Sequence, residues 1–231
     1  MQMIPLGDSA VIIQFGNNIT LENHQKVRVL AAHLEDKPFP GMIEFVPAFT
    51  TVTIYYNPLV LTYKDACSTI KHIMDDLEIG APSEPRTIEI PVCYGGDFGP
   101  DLEYVAEHNG LTVDEVIQIH SGAEYLVYMI GFAPGFPYLG GLSERIQAPR
   151  RSTPRLRIPA GSVGIAGMQT GVYPIETPGG WQLIGRTPVP LFRPNDSSPS
   201  LLQAGDIVRF RPISQQEYEE WKEGGNEHKS H

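Results

Sequence analysis

Four arginines, Arg150, Arg151, Arg155 and Arg157, fall within eight residues, and Arg186 and Arg193 follow. The stretch from residue 128 to 192 holds no lysine and no aspartate. Solvation alone would draw on lysine as well, whereas arginine alone suits planar, two-pronged recognition of a carboxylate or phosphate. The competing reading is a basic rim whose stems cover apolar surface. With a formal net charge of −10, the chain makes this cluster a positive island suited to a small anion.

Just before it runs Phe132-Ala-Pro-Gly-Phe-Pro-Tyr138. Phe132, Pro134, Phe136 and Tyr138 form either a rigid plug at one end of a β-domain or the apolar wall of a cleft. Such a wall beside Arg150, Arg151 and Arg155 would suit a ring bearing a carboxylate. Gln169, Thr170 and Tyr173 could add neutral hydrogen bonds. Glu176 reads first as an ion-pair partner for an arginine. His120, at a predicted helix end, reads first as a cap or core hydrogen-bonder and second as a base.

Three further motifs fail on their own chemistry. Gly180–Thr187 has Walker spacing, but arginine replaces lysine, the middle is β-type and Pro188 follows, so no phosphate loop opens a helix there. Leu6-Gly7-Asp8-Ser9 mimics an esterase nucleophile block but leads straight into a strand, which makes it a turn. The histidines are scattered without HExxH, so no metal site is expected.

The surroundings of the cluster are short apolar runs broken by glycine and proline, such as Ser162–Ala166 and Trp181–Ile184, a pattern that predicts a barrel or sandwich. Upstream, Ala10–Phe15 reads as a strand and Thr20 caps a helix whose stripe is Val27, Leu30, Ala31 and Leu34. Met42–Val46 and Thr51–Tyr56 are strands, and Thr62 caps a second helix ended by Gly80-Ala-Pro82. Arg86–Val92 gives a further strand that could belong to this domain or to the next, with the boundary near residues 80–86. That order predicts a ferredoxin-like split βαβ unit. Asp101 is read as the cap of a short helix closed by Asn109-Gly110, and Thr112–Glu115 as a capping box. Glu124–Ile130 is a strand, and Gln215–Trp221 a short helix before a tail, from Gly224 on, expected to be disordered.

GFAPGFPYLGGL, PRRSTPR with IPAGSVGIAG, and QTGVYPIETPGGWQLIGRTP together resemble one family. It comprises the B-type 5-oxoprolinase subunits, the Kip-type inhibitors of a sporulation histidine kinase, and allophanate hydrolase subunit 1, related to the carboxyltransferase subdomains C and D of urea carboxylase. The resemblance covers most of residues 86–212. It implies an α+β chain, with a ferredoxin-like domain at 1–85, a cyclophilin-like β-barrel at 86–213, and a short helix and tail at 214–231. The activity it implies is ATP-dependent opening of 5-oxo-L-proline to L-glutamate, alongside a homologous barrel subunit of the C type and a further hydrolase subunit. ATP with Mg would act through the complex, and no tightly bound cofactor is expected. The alternatives are inhibition of a sensor histidine kinase and a carboxyl-transfer or allophanate-processing role. The family pattern has a histidine ahead of its Tyr-x-Val-Tyr strand, as His120 precedes Tyr125–Tyr128. We therefore expect His120, Arg150 and Arg155 to be catalytic. Phe132, Pro134, Phe136, Tyr138, Arg151, Gln169, Thr170, Tyr173 and Arg186 are expected to bind substrate.

Composition narrows the rest. A hydrophobic share of 41% with 19% charged residues is that of a folded globular chain. The acidic balance argues against nucleic acid and anionic membrane as partners. No run approaches the ~20 apolar residues of a membrane helix, and no signal-like leader is seen. Cys67 and Cys93 lie far apart with no CxxC, which fits a reducing compartment and leaves a single disulfide as the alternative. The cytoplasm is the expected location.

Overall fold

The computed structural model describes residues 1–77 and 85–227, with side chains to 224. Contacts divide the chain into two units, Met1–Glu84 and Pro85–His231. The expected Gly80-Pro82 helix stop, and the far end of the expected tail, lie outside the described residues. Among the described residues no helix is long and apolar enough to cross a membrane.

The first unit is an antiparallel sheet of β1 (Gln2–Leu6), β2 (Ala10–Gln14), β3 (Met42–Pro47) and β4 (Thr51–Tyr56), in the order β1-β2-β4-β3. Two helices, α1 (Leu21–Asp36) and α2 (Tyr63–Asp76), complete it. Thr20 caps α1 by accepting from the Asn23 N–H at 3.2 Å, and Thr62 with Asp65 forms a reciprocal capping box on α2. Alternate residues Val11, Ile13, Val52 and Ile54 face Val27, Leu30, Leu34 and Ile70, giving one apolar core. The sequence expectation differs at one edge. The place beside β2 is filled by Gln2–Leu6, which carries Pro5, and proline is tolerated on an edge strand. Leu6–Ser9 becomes the hairpin turn, and the segment near Arg86 goes elsewhere.

It goes into the second unit, as β5 (Thr87–Tyr94). There β6 (Glu124–Ile130), β7 (Pro137–Gly140), β9 (Ser162–Ala166), β10 (Gln169–Val172), β12 (Gln182–Arg186) and β13 (Ile207–Pro212) close a seven-stranded barrel with it. β5 is captured because it pairs in parallel with β13 over six residues, Thr87↔Ile207 to Val92↔Pro212. β8 (Arg155–Ile158) and β11 (Thr177–Gly179) form a separate two-stranded ribbon. Ile90, Val92, Val127, Leu139, Val163, Ile165, Ile184 and Phe210 fill the core, and α3 (Leu102–Asn109) with α4 (Val113–Ser121) adds Val105 and Val116. Gly110, at φ 64°, ends α3, and the Thr112–Glu115 box opens α4. Asp101 stands at the start of α3 but makes no capping bond. A last helix, α5 (Gln215–Glu227), docks through Tyr218 against Phe98 and Cys93.

Candidate functional site

The rings of the Phe132–Tyr138 loop meet the ends of β10 and β12 at a hollow of about 360 Å³. Phe132, Phe136 and Tyr138 come from the loop and β7, and Tyr173 follows β10. Pro178, Gly179, Gly180 and Trp181 form the opposite wall, with Arg150 and Pro154 at the side. Phe136 stands at the centre, in edge-to-face contact with Phe132, Tyr138, Tyr173 and Trp181 at centroid distances of 5.3–5.6 Å. Each such contact adds about 0.5–1.5 kcal/mol beyond buried area, so the wall is stiff. At Gly179 a Cβ would stand 2.6 Å from the Tyr173 hydroxyl oxygen, so only glycine leaves that hydroxyl in place.

Phe132 departs from ordinary backbone geometry. Its φ is 68°, the one positive value outside glycine among the described residues, and its ring is 65% exposed. The loop holds it there through Gly131 N–H to Phe136 O at 3.0 Å and Ala133 N–H to Gly131 O at 2.8 Å. A bulky residue kept left-handed costs of order 1–3 kcal/mol, and such strain gathers where geometry serves binding. Burial pushes the Tyr173 hydroxyl up to about 12, despite a hydrogen bond from the Trp181 backbone and the nearby charges of Arg150 and Arg155. Tyr173 is therefore a neutral donor within reach of two guanidinium charges.

The arginines divide. Arg150 is exposed on the hollow, and among the described residues no carboxylate pairs with it. Arg151 Nη1 and Arg155 Nη2 both donate to Asp101 Oδ1, at 3.0 and 2.7 Å. Arg155 Nη1 is buried without an acceptor, a cost that a bound anion would remove. Arg157 pairs with Glu176 on the surface, at 2.9 Å. Arg186 lies 5.9 Å from the centre of the Phe98 ring and does not line the hollow.

His120 and Thr170 are also away from it, inside the barrel. His120 is fully buried, and burial lowers its pKa to about 3. Thr170 gives its hydroxyl proton to Gly164 O at 3.0 Å, so it accepts from His120 Nε2–H at 2.9 Å. His120 Nδ1 then accepts from the Tyr94 hydroxyl at 2.8 Å. Tyr125 donates to His120 O at 2.8 Å, and Phe210 stacks at 4.6 Å. With the ring fully buried and both its nitrogens engaged, His120 ties Tyr94 to Thr170 inside the barrel. Gln169 and Pro134 do not line the hollow. Of the expected set, the fold gathers Phe132, Phe136, Tyr138, Tyr173 and Arg150, with Arg151 and Arg155 just behind. Sequence reasoning passed over Gly179 as well as Gly180 and Trp181, although the last two open the failed Walker motif. It also passed over Asp101, whose partners lie 50 and more residues away.

Among the described residues no group of three or more His, Cys, Asp or Glu is placed to hold a metal ion. Gly180–Thr187 runs into strand β12, so its backbone N–H groups serve the barrel.

Residues 1–202 match the family model for the carboxyltransferase domain, subdomain C and D. A Bacillus subtilis protein named as the B-type subunit of 5-oxoprolinase is 53% identical, over 97% of this chain and 98% of its own. The protein of that name from Escherichia coli O157:H7 is 47% identical, over 90% and 94%. The solved structure of TTHA0988 superposes with a TM-score of 0.80 at 35% identity, covering 89% of this chain. This chain spans only 40% of that one.

Proposed function

We propose a function from two premises: the chain belongs to the carboxyltransferase-domain family, subdomains C and D, and its barrel carries an aromatic hollow edged by Arg150, with which no carboxylate among the described residues pairs. It acts as the B-type subunit of an ATP-dependent 5-oxoprolinase, opening 5-oxo-L-proline to L-glutamate with partner subunits. Near-full-length relatives that bear the name of that subunit in 5-oxoprolinase carry this reading.

The hollow suits that substrate. A flat five-membered lactam presents two apolar faces, which the Phe132, Phe136 and Trp181 rings can cover. Its carboxylate matches the fork of Arg150, and the neutral Tyr173 hydroxyl can donate to the lactam oxygen. A lactam carbonyl is a poor electrophile. In the reaction we infer, the lactam oxygen takes the γ-phosphoryl group of ATP, releasing ADP. Water then adds to that carbon, the C–N bond breaks as the nitrogen takes up a proton, and a second water hydrolyses the resulting acyl phosphate to the carboxylate and inorganic phosphate. The chain's own residues bind and orient the ring. The lining of the hollow includes no carboxylate to hold Mg, so we assign nucleotide binding and the proton acceptor to the assembled complex, which includes a homologous barrel subunit and a further hydrolase subunit. We place this activity in the cytoplasm. We read the two units as domains, the barrel as cyclophilin-like and the first unit as a ferredoxin-like sheet whose edge strand comes from the N-terminal hairpin.

The test assembles the chain with its partner subunits, ATP and 5-oxo-L-proline and measures ADP and glutamate. Stoichiometric release of both, abolished when this chain is omitted, is expected. No turnover, combined with loss of autophosphorylation when the chain is added to a sensor histidine kinase, would replace this reading with inhibition of that kinase. Dependence on biotin or urea-derived substrates would replace it with carboxyl transfer.

A further inference from the structure

Asp101 stands where an aspartate ordinarily caps a helix, and its side chain is diverted from that task. Only 5% exposed, it is spent on three donors from distant parts of the barrel. Oδ1 accepts from Arg151 Nη1 at 3.0 Å and Arg155 Nη2 at 2.7 Å, while Oδ2 accepts from the Leu183 N–H at 2.7 Å. Its own N–H returns a bond to Leu183 O at 2.9 Å. The approach to β12 is close. At Gly99, two residues earlier, a Cβ would lie 2.0 Å from Ile184 O.

These bonds close a circuit around the hollow. Leu183 follows Trp181 by two residues, Arg151 N–H donates to Gly180 O at 2.7 Å, and Arg155 pairs with Gly179 across the β8–β11 ribbon. Asp101 thus ties the guanidinium groups and the Gly179–Trp181 wall to one buried carboxylate. One negative charge facing two guanidinium groups leaves a surplus of one positive charge, and among the described residues no carboxylate pairs with Arg150, next in the chain to Arg151.

We propose that Asp101 is the positioning residue of this site, setting the arginine forks and the Trp181 wall so that the hollow recognises a small carboxylate. This rests on the functional reading above. Asp101 holds the forks at fixed angles and leaves the cluster net positive, so it contributes orientation while subtracting charge. Orientation and charge therefore predict opposite signs when it is neutralised.

Asp101→Asn keeps an oxygen for the Leu183 N–H and removes the charge that holds the forks. In the assembled complex, KM for 5-oxo-L-proline should rise about tenfold or more, with kcat within about threefold and KM for ATP unchanged. If charge alone mattered, the anionic substrate would bind more tightly. A KM that is unchanged or lower overturns the proposal. A second readout needs no substrate: phenylglyoxal labelling of the full chain, followed by peptide mass spectrometry. Arg155 should react about tenfold faster in the variant, and exposed Arg193 equally in both. Equal rates at Arg155 overturn the positioning role whatever the ligand. Faster labelling in a complex whose wild-type form never turns over 5-oxo-L-proline sinks the functional reading and supports Asp101 as the anchor of the forks. Should Asp101→Asn fail to fold, Asp101→Glu keeps the charge one methylene further out. It should show the KM rise with labelling still slow, and a normal KM there would overturn the proposal.

Discussion

Two clusters in the barrel are built from the same kinds of side chain and do opposite things. In the interior, His120, Tyr94, Tyr125, Thr170 and Phe210 combine an imidazole, hydroxyls and a stacked ring, and the hydrogen bonds run without a gap from the Tyr94 hydroxyl through His120 and Thr170 to Gly164 O. At the hollow, Phe132, Phe136, Tyr173 and Trp181 surround space, with Arg150 at its edge unpaired by any carboxylate among the described residues. Polar groups closed upon one another stabilise a fold. Polar groups held stiffly toward a void await a ligand. A titratable residue at a suggestive place in the sequence does not separate the two cases; the direction of its hydrogen bonds does.

The comparison can be broken most directly from inside. His120→Leu strands the Tyr94 hydroxyl and removes the donor to Thr170, so the barrel should lose about 3 kcal/mol or more in denaturant unfolding. KM of the surviving folded enzyme should not change. A KM effect without a stability effect would move His120 into the site.

Acid should sharpen the same contrast. Burial holds His120 near pKa 3 and His24 near 4, both below the unfolded value of 6.5. Below 6.5 the unfolded chain takes up protons that the folded chain refuses. Their stabilisation is thus complete above pH 6.5 and lost as pH falls toward the folded values, at up to about 1.4 kcal/mol per pH unit for each histidine. The urea midpoint should fall between pH 7 and pH 5, and fall less in His120→Leu. An equal fall in both proteins would mean that His120 is not the group being protonated.

At the hollow, the effects should appear in binding instead. Arg150→Lys retains the charge and loses the fork, so KM for 5-oxo-L-proline should rise by about 5- to 30-fold with stability within about 0.5 kcal/mol. Unchanged kinetics would return Arg150 to the role of a basic rim. Smallest in stability is Phe132→Gly. Relief of the left-handed backbone and loss of one edge-to-face contact roughly offset, within about 1 kcal/mol, while substrate affinity falls several-fold. A large loss of stability would show that the ring is plugging the barrel rather than walling a site.

Much of the local structure was legible from short-range chemistry. The caps at Thr20, Thr62 and Thr112 act within a few residues, and Glu124–Ile130 and Ser162–Ala166 show their strand character in their own composition. Edge completion was not legible, because Gln2–Leu6 contains a proline that speaks against a central strand and is silent about an edge. Nor was the fate of Thr87–Tyr94, whose apolar run would satisfy either sheet. Its parallel partner, Ile207–Pro212, lies more than a hundred residues on.

By itself, then, the sequence determined that arginine forks and stiff rings would be concentrated in one part of the chain, since residue type and spacing are local properties. Only the tertiary structure decided which forks stayed open. Asp101 takes up two of them across 50 and 54 residues, and closure of the barrel places His120 inside and Arg150 outside. A side chain's partners are set by distances in space, and the folded chain alone specifies those.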